Sequence, residues 1–281
     1  YPSTLEEAFS STESTLFPPS TLDRLYQRTR VPSVGELRLT SDGPVFAESP
    51  RGSLSVWAAP APGHEYVVGG DVAEGLAAGD FSCAYVVDRD TREAVACWHG
   101  KVDSDEFVYV LKNLGRWYHD ATLAVENNHN PSVATSLRKL RYPKLYYYRD
   151  PDVLRSTACR AGWNTNKRSR KALLDVLAAL LRDDDLKVYC RGFADEAGAF
   201  VWNDRLRSYR AASGKFDDRV LALGIAGYVC GWRRDDGRVP TSTAQRVDTP
   251  SPAVVAWEKE QRWWKREQRR RRSEGGNPLY I

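Results

Sequence analysis

The sequence predicts an α/β fold on a mixed sheet of five or more strands, a three-strand antiparallel meander joined to parallel strands. Two observations carry this. Runs rich in β-branched and aromatic residues at 66–70, 82–88 and 93–99 follow one another with turn-forming stretches between them, as consecutive antiparallel strands do. Beyond them, apolar runs at 121–125 and 145–148 alternate with segments of helical period. Strand–helix–strand connections within one sheet are right-handed crossovers between parallel strands.

Taken in order, Ser3 or Thr4 followed by Glu6-Glu7 predicts a helix start, and Pro18-Pro19 ends that segment. Ser20 is placed to cap a short helix over TLDRLYQRT. Gly35 to Trp57 alternates in β fashion around turns at Ser41-Asp42-Gly43 and Pro50-Arg51-Gly52, a small hairpin layer, and the Ala/Pro stretch 58–63 is a linker by composition. Residues 1–63 are therefore read as a connecting segment, 64–234 as the main domain and 235–281 as a flexible basic tail rich in tryptophan and arginine.

Within the main domain the first strand runs through Gly69-Gly70 into Asp71, and glycines at 75 and 79 and Asp80-Phe81-Ser82 lead to the second. Arg89-Asp90-Thr91 turns into the third. Asp103 with Glu106 forms a capping box for a helix with Phe107, Val110, Leu111, Leu114, Trp117 and Tyr118 on its apolar side. The fourth strand ends at Glu126, Pro131 opens a helix through Leu137 and Leu140, and 145–148 is the fifth strand. A loop over 149–168 precedes a helix at 169–182, and Asp183-Asp184-Asp185 reads as a solvated helix end. Residues 199–212 form a hairpin turning at Asn203-Asp204, and Gly214 to Asp218 opens an apolar helix over 219–232.

Composition excludes several classes. With 281 residues and 42% hydrophobic content a sizeable core can form, and the net charge of +4 decides little beyond the basic run Lys265 to Arg272. The cysteines at 83, 97, 159, 190 and 230 show no CxxC and no disulfide-like spacing, which predicts reduced, mostly buried thiols of a cytosolic protein. No apolar run is long enough to span a bilayer and no signal peptide is visible. Methionine is absent even at position 1, as expected of a fragment or processed product.

The informative feature is where the acids fall. Asp71 ends the first strand and Glu126 the fourth; if those strands are neighbours, both acids lie in the crevice beyond the strand ends where open sheets bind ligands. Asp217-Asp218 sit at the start of a helix able to pack across that sheet, where acids are well tolerated. Each has an ordinary reading as well: Asp71 as an exposed residue opening a hairpin, Glu126 as a turn residue, Asp218 as an N-cap partner. Together they suit Mg²⁺ or Mn²⁺, which prefer carboxylate oxygens, and a pair of such ions can clamp the attacking and leaving oxygens of a phosphodiester. The histidines at 64, 99, 119 and 129 lie in no zinc-like spacing; His129, near Glu126, is either a substrate-side residue or an ordinary loop histidine.

The segments YPSTLEEAF, GGDVAEGLAAGDFS, LAVENNHNPSVATSL, AGWNT and GKFDDRVLALGIA, in this order over residues 1–232, resemble the large subunit of the DNA-packaging terminase of tailed phages. The resemblance implies an RNase H-like nuclease domain with helices on both faces of the sheet, which cuts double-stranded DNA during viral genome packaging in the host cytoplasm. It implies that Asp71, Glu126 and Asp217 hold two Mg²⁺ or Mn²⁺ ions with Asp218 alongside, and that the 199–212 hairpin is the family's flap beside the active site. Portal protein and the small terminase subunit are the partners implied. The family's ATPase domain carries a P-loop, no GxxxxGK[ST] occurs here, and that domain is expected upstream. Phosphate contacts are expected from Lys167, Arg168, Arg170 and Lys171 at a helix start and from Arg205, Arg207 and Arg210 on the hairpin, all of which read equally as solvated surface. The tail could bind DNA, the portal ring or the domain itself, or be simply disordered. Competing readings are another nuclease of the same fold, such as a Holliday-junction resolvase, and a non-catalytic DNA-binding packaging module.

Overall fold

In the computed structural model the described residues are 15–73, 81–128, 131–148 and 160–231. The strands in chain order are β1 (Ser33–Thr40), β2 (Gly43–Glu48), β3 (Leu54–Val56), β4 (Tyr66–Asp71), β5 (Ser82–Asp88), β6 (Glu93–Gly100) and β7 (Thr122–Val125). They form one seven-stranded sheet in the order β2-β1-β3-β6-β5-β4-β7. The antiparallel meander β4-β5-β6 is present as the sequence predicts, and β7 lies parallel to β4, with Gly70 opposite Val125. The hairpin layer β1–β3 continues this sheet by pairing β3 antiparallel to β6.

Helices α1 (Pro19–Arg28), α2 (Ser104–Trp117), α3 (Pro131–Lys139), α4 (Lys167–Arg182), α5 (Arg191–Gly198) and α6 (Asp218–Cys230) cover both faces. Strands β4 and β5 are buried along their whole length, which is why they read as continuous apolar runs rather than as alternating ones. On one face Val67, Tyr85, Val87 and Ala124 pack with side chains of α1, α4, α5 and α6. On the other, Val68, Ala84, Val86, Leu123 and Val125 pack with α2 and α3. Because side chains alternate across a strand, the first face is that of residues 67, 69 and 71, so Asp71 emerges on the side of α6.

Several local expectations are corrected. Residue 15 is not helical: Thr15 bridges Val201, while the rest of the helix expected from Ser3 or Thr4 lies outside the described residues. Pro18, not Ser20, is the N-cap of α1, with Pro19 in the first turn, where its missing N–H costs nothing. The fifth strand shrinks to a single parallel bridge, Leu123 to Leu145, because Tyr147–Tyr148 (β8) turns away to pair with Arg160–Ala161 (β9). The aspartates 183–185 do form the solvated helix end that the sequence predicts, with arginines reaching them: Asp184 takes a two-pronged contact from Arg28, and Asp185 pairs with Arg92 at 2.7 Å. They tie the end of α4 to α1 and to the β5–β6 turn. The Trp/Arg-rich tail lies outside the described residues, as do Gly75, Gly79, Asp80, His129 and Cys159.

Candidate metal centre

A row of four residues crosses the sheet on the α6 side. Asp71 on β4 stands opposite Cys83 on β5, and Cys83 opposite His99 on β6. On the other flank the Glu126 amide donates to the Gly70 carbonyl at 2.9 Å, which continues the β4–β7 register by one step and sets Glu126 beside Asp71. The row therefore reads Glu126, Asp71, Cys83, His99.

Above it sits the start of α6. Asp217 is the N-cap residue, yet its side chain makes no cap hydrogen bond, and Asp218 opens the first turn. The helix dipole and the free N–H groups favour acids there, which is the local reason the chain tolerates two in succession. Asp71, Glu126, Asp217 and Asp218 all line one cleft of about 540 Å³. Burial raises the Asp71 carboxyl well above the ordinary carboxylate range, and the neighbouring Glu126, Asp218 and Asp217 push it further the same way. Four acids crowded together, with burial and mutual repulsion disfavouring the charged form of Asp71, make a donor set that a divalent cation would relieve. The residues present thus fit a hard cation held by oxygen ligands.

Two arginines shape the site. Arg170 on α4 is buried, lines the same cleft, and its guanidinium lies 3.0 Å from Asp217 Oδ2, so it is a neighbour of the acids rather than a residue of the outer surface. Arg219 is clamped by Glu196 of α5: its guanidinium donates to Oε1 at 2.6 Å and its backbone N–H to Oε2 at 2.8 Å. Burial lifts Glu196 to about 7 against the pull of Arg219. The pair locks α5 to the first turn of α6 and thereby fixes where Asp217 and Asp218 start.

The remaining basic residues divide. Lys167 and Arg210 line the cleft, together with Lys215. Arg205 and Arg207 are exposed in the turn between β10 (Phe200–Asn203) and β11 (Ser208–Ala211), and Arg168 is exposed on α4. Lys171 pairs with Asp175 one turn on, at 2.6 Å. The cysteines Cys83, Cys97, Cys190 and Cys230 are free, and burial pushes the Cys83, Cys97 and Cys230 thiols up, which makes them poor nucleophiles.

Solved structures share this architecture. The large terminase nuclease from thermophilic phage G20c superposes with a TM-score of 0.55 at 20% identity, over 76% of this chain and 97% of that one. Its magnesium-bound form gives 0.56 at 19% identity, over 76% and 96%. The large terminase nuclease domain of Thermus phage P74-26 gives 0.53 at 22% identity, over 75% and 93%. The chain has the fold of the large terminase nucleases. No protein-family model and no curated protein matches it. At such identities the terminase likeness establishes the architecture.

Sequence reasoning missed His99, Glu196, Arg219, Lys215 and Phe216 as neighbours of the acids. Lys215 and Phe216 carried a signal, being adjacent to the Asp217-Asp218 pair. For Arg170 the signal was the helical period: it shares the inward stripe of Leu173, Leu174, Leu177 and Leu181.

Proposed function

We propose that this chain is a metal-dependent endonuclease that cuts double-stranded DNA during viral genome packaging. The observation that carries the reading is the meeting of Asp71, Glu126, Asp217 and Asp218, from three separate elements, in one cleft rimmed by Lys167, Arg210 and Lys215. In this reading Asp71, Glu126 and Asp217 would hold two Mg²⁺ or Mn²⁺ ions, and Asp218 would ligate or support them from alongside. When bound, such ions lower the pKa of water and offset charge building on the phosphodiester. The protein's part is placement. Sheet register holds Asp71 and Glu126 side by side, and the Glu196–Arg219 clamp fixes Asp217 and Asp218 above them.

Arg210 of the hairpin β10–β11 lines the cleft, and with Lys167, Arg168 and the exposed Arg205 and Arg207 of the hairpin turn it would track the phosphate backbone without reading sequence. The exposed Lys171 is assigned the same role once released from Asp175, while Arg170 would meet phosphate only by leaving Asp217. The packaging setting, with an ATPase domain upstream, portal protein and the small terminase subunit as partners and the host cytoplasm as location, belongs to the same reading and is supported by the motif resemblance and the shared fold.

Incubating the protein with supercoiled plasmid in Mn²⁺, in Mg²⁺ and in EDTA tests this. Nicking or linearisation that requires the cation and disappears in Asp71→Asn is expected. Absence of cutting with either cation, or undiminished cutting by Asp71→Asn, overturns the proposal.

A further inference from the structure

His99 lies in the same cross-strand row as Asp71 and Glu126, on β6 opposite Cys83. Its Nε2 is buried and has no hydrogen-bond partner among the described residues. The Asp218 Oδ2 is in the same condition, and the two atoms lie 3.6 Å apart. Glu196 also reaches this cluster, but both its oxygens are already taken by Arg219. The one complementary pair left is an imidazole nitrogen and a carboxylate oxygen, a few tenths of an ångström too far apart for a hydrogen bond.

We propose that His99 is a positioning residue for the metal centre: its Nε2–H holds Asp218 Oδ2 and thereby turns the other carboxylate oxygen toward the cation. This rests on the reading of Asp218 as part of a cation site. The ring is well placed for such a task. Phe81 stacks on it at 4.5 Å with an interplanar angle of 17°, and Lys101 Nζ lies 4.7 Å from the Phe81 ring centroid. Phe216, the residue before Asp217, meets Phe81 edge-on at 5.4 Å. The imidazole is thus stacked on an aromatic pair continuous with the start of α6, and its own strand fixes its depth. A carboxylate without such a partner rotates about its last torsion and offers either oxygen, or both, to a cation. Fixing one oxygen removes that freedom before the ion arrives. Partners of this kind around metal-binding side chains are worth roughly 10- to 100-fold in metal affinity.

The test uses cation binding rather than cutting. Mn²⁺ titrations followed by calorimetry would compare wild type with His99→Phe, which keeps a stacking ring but has no donor, and His99→Gln, which retains a donor near the Nε2 position. A loss of affinity of about 10-fold or more in His99→Phe, with His99→Gln recovering most of it, is expected. Equal affinity in wild type and His99→Phe, or His99→Gln as impaired as His99→Phe, overturns the proposal. Nitrogen NMR of the wild-type imidazole with saturating Mg²⁺ needs no variant. A protonated, hydrogen-bonded Nε2 is expected, and an unprotonated Nε2 overturns the role. Failure of wild type itself to bind Mn²⁺ would instead overturn the cation site.

Discussion

Gly69 and Ala222 touch through their backbones: a Cβ added at Gly69 would strike the Ala222 carbonyl oxygen and the Ala226 amide. This is where α6 lies directly on β4, two residues before Asp71, and it sets the height at which Asp217 and Asp218 stand over the strand end. Gly69→Ala should lift the helix, at a cost of about 3 kcal/mol by urea unfolding, and should weaken Mn²⁺ binding. Gly70→Ala is the control. Its Cβ would meet only the side chains of Leu111 and Val125, at 3.2 and 3.3 Å, which can give way, so its cost should be about 1 kcal/mol.

The crowded carboxylates predict a pH dependence. Burial first, then Glu126, Asp218 and Asp217, raise Asp71, so the native state keeps a proton that the unfolded chain has already lost. Stability without metal must therefore fall as pH rises through and above the ordinary carboxylate range. Melting curves in EDTA at pH 5 and pH 7.5 should show the fall, Asp71→Asn should flatten it, and Mn²⁺ should reverse it at the higher pH.

The Glu196–Arg219 pair predicts an asymmetry. Glu196→Ala leaves the Arg219 charge buried and unpaired and should cost about 3 to 5 kcal/mol, whereas Glu196→Leu combined with Arg219→Met should recover most of that loss. Denaturant unfolding of both variants checks it. A double variant no better than the single one would show that the pair's hydrogen bond to the start of α6 matters more than its charges.

At the far end of β4, His64 Nδ1 lies 2.7 Å from Asp88 Oδ2, and that hydrogen bond raises the histidine's pKa from its usual value. The sign is opposite to a carboxylate's depression: the stabilisation is complete below the unfolded pKa of about 6.5 and fades as pH rises through the folded one. His64→Gln should melt lower than wild type at pH 5.5 and nearly level with it at pH 8.5.

Arg170→Ala tests the remaining contact. With its guanidinium gone, the half-buried Asp217 loses its partner, and the metal-free protein should lose about 1 to 3 kcal/mol. If the proposed site holds, saturating Mn²⁺ should erase much of the difference, because a cation beside Asp217 would replace the missing charge.

What the sequence made legible was whatever local pattern can encode. The fully buried β4 is an uninterrupted run ending on Asp71, the largely buried β7 is followed directly by Glu126, and α6 is an apolar helix opened by two acids, so the elements that carry the acids were legible locally. The attachment of β3 to β6 was not legible, since nothing local specifies which strand edge a distant hairpin adopts. The same holds for His99 beside Asp218 and for Glu196 beside Arg219, contacts made by folding between elements remote in the chain. Arg170's place on the inward face of its helix was legible from the period, whereas its partner Asp217 was not.

The foot of the β10–β11 hairpin is stitched to a distant part of the polypeptide: Thr15 bridges Val201, and the Leu16 amide donates to the Phe200 carbonyl at 3.2 Å. Phe17, fully enclosed, leans against Phe200. The hairpin is thereby fixed at its foot by residues 15–17, while its turn, with Arg205 and Arg207, stands exposed.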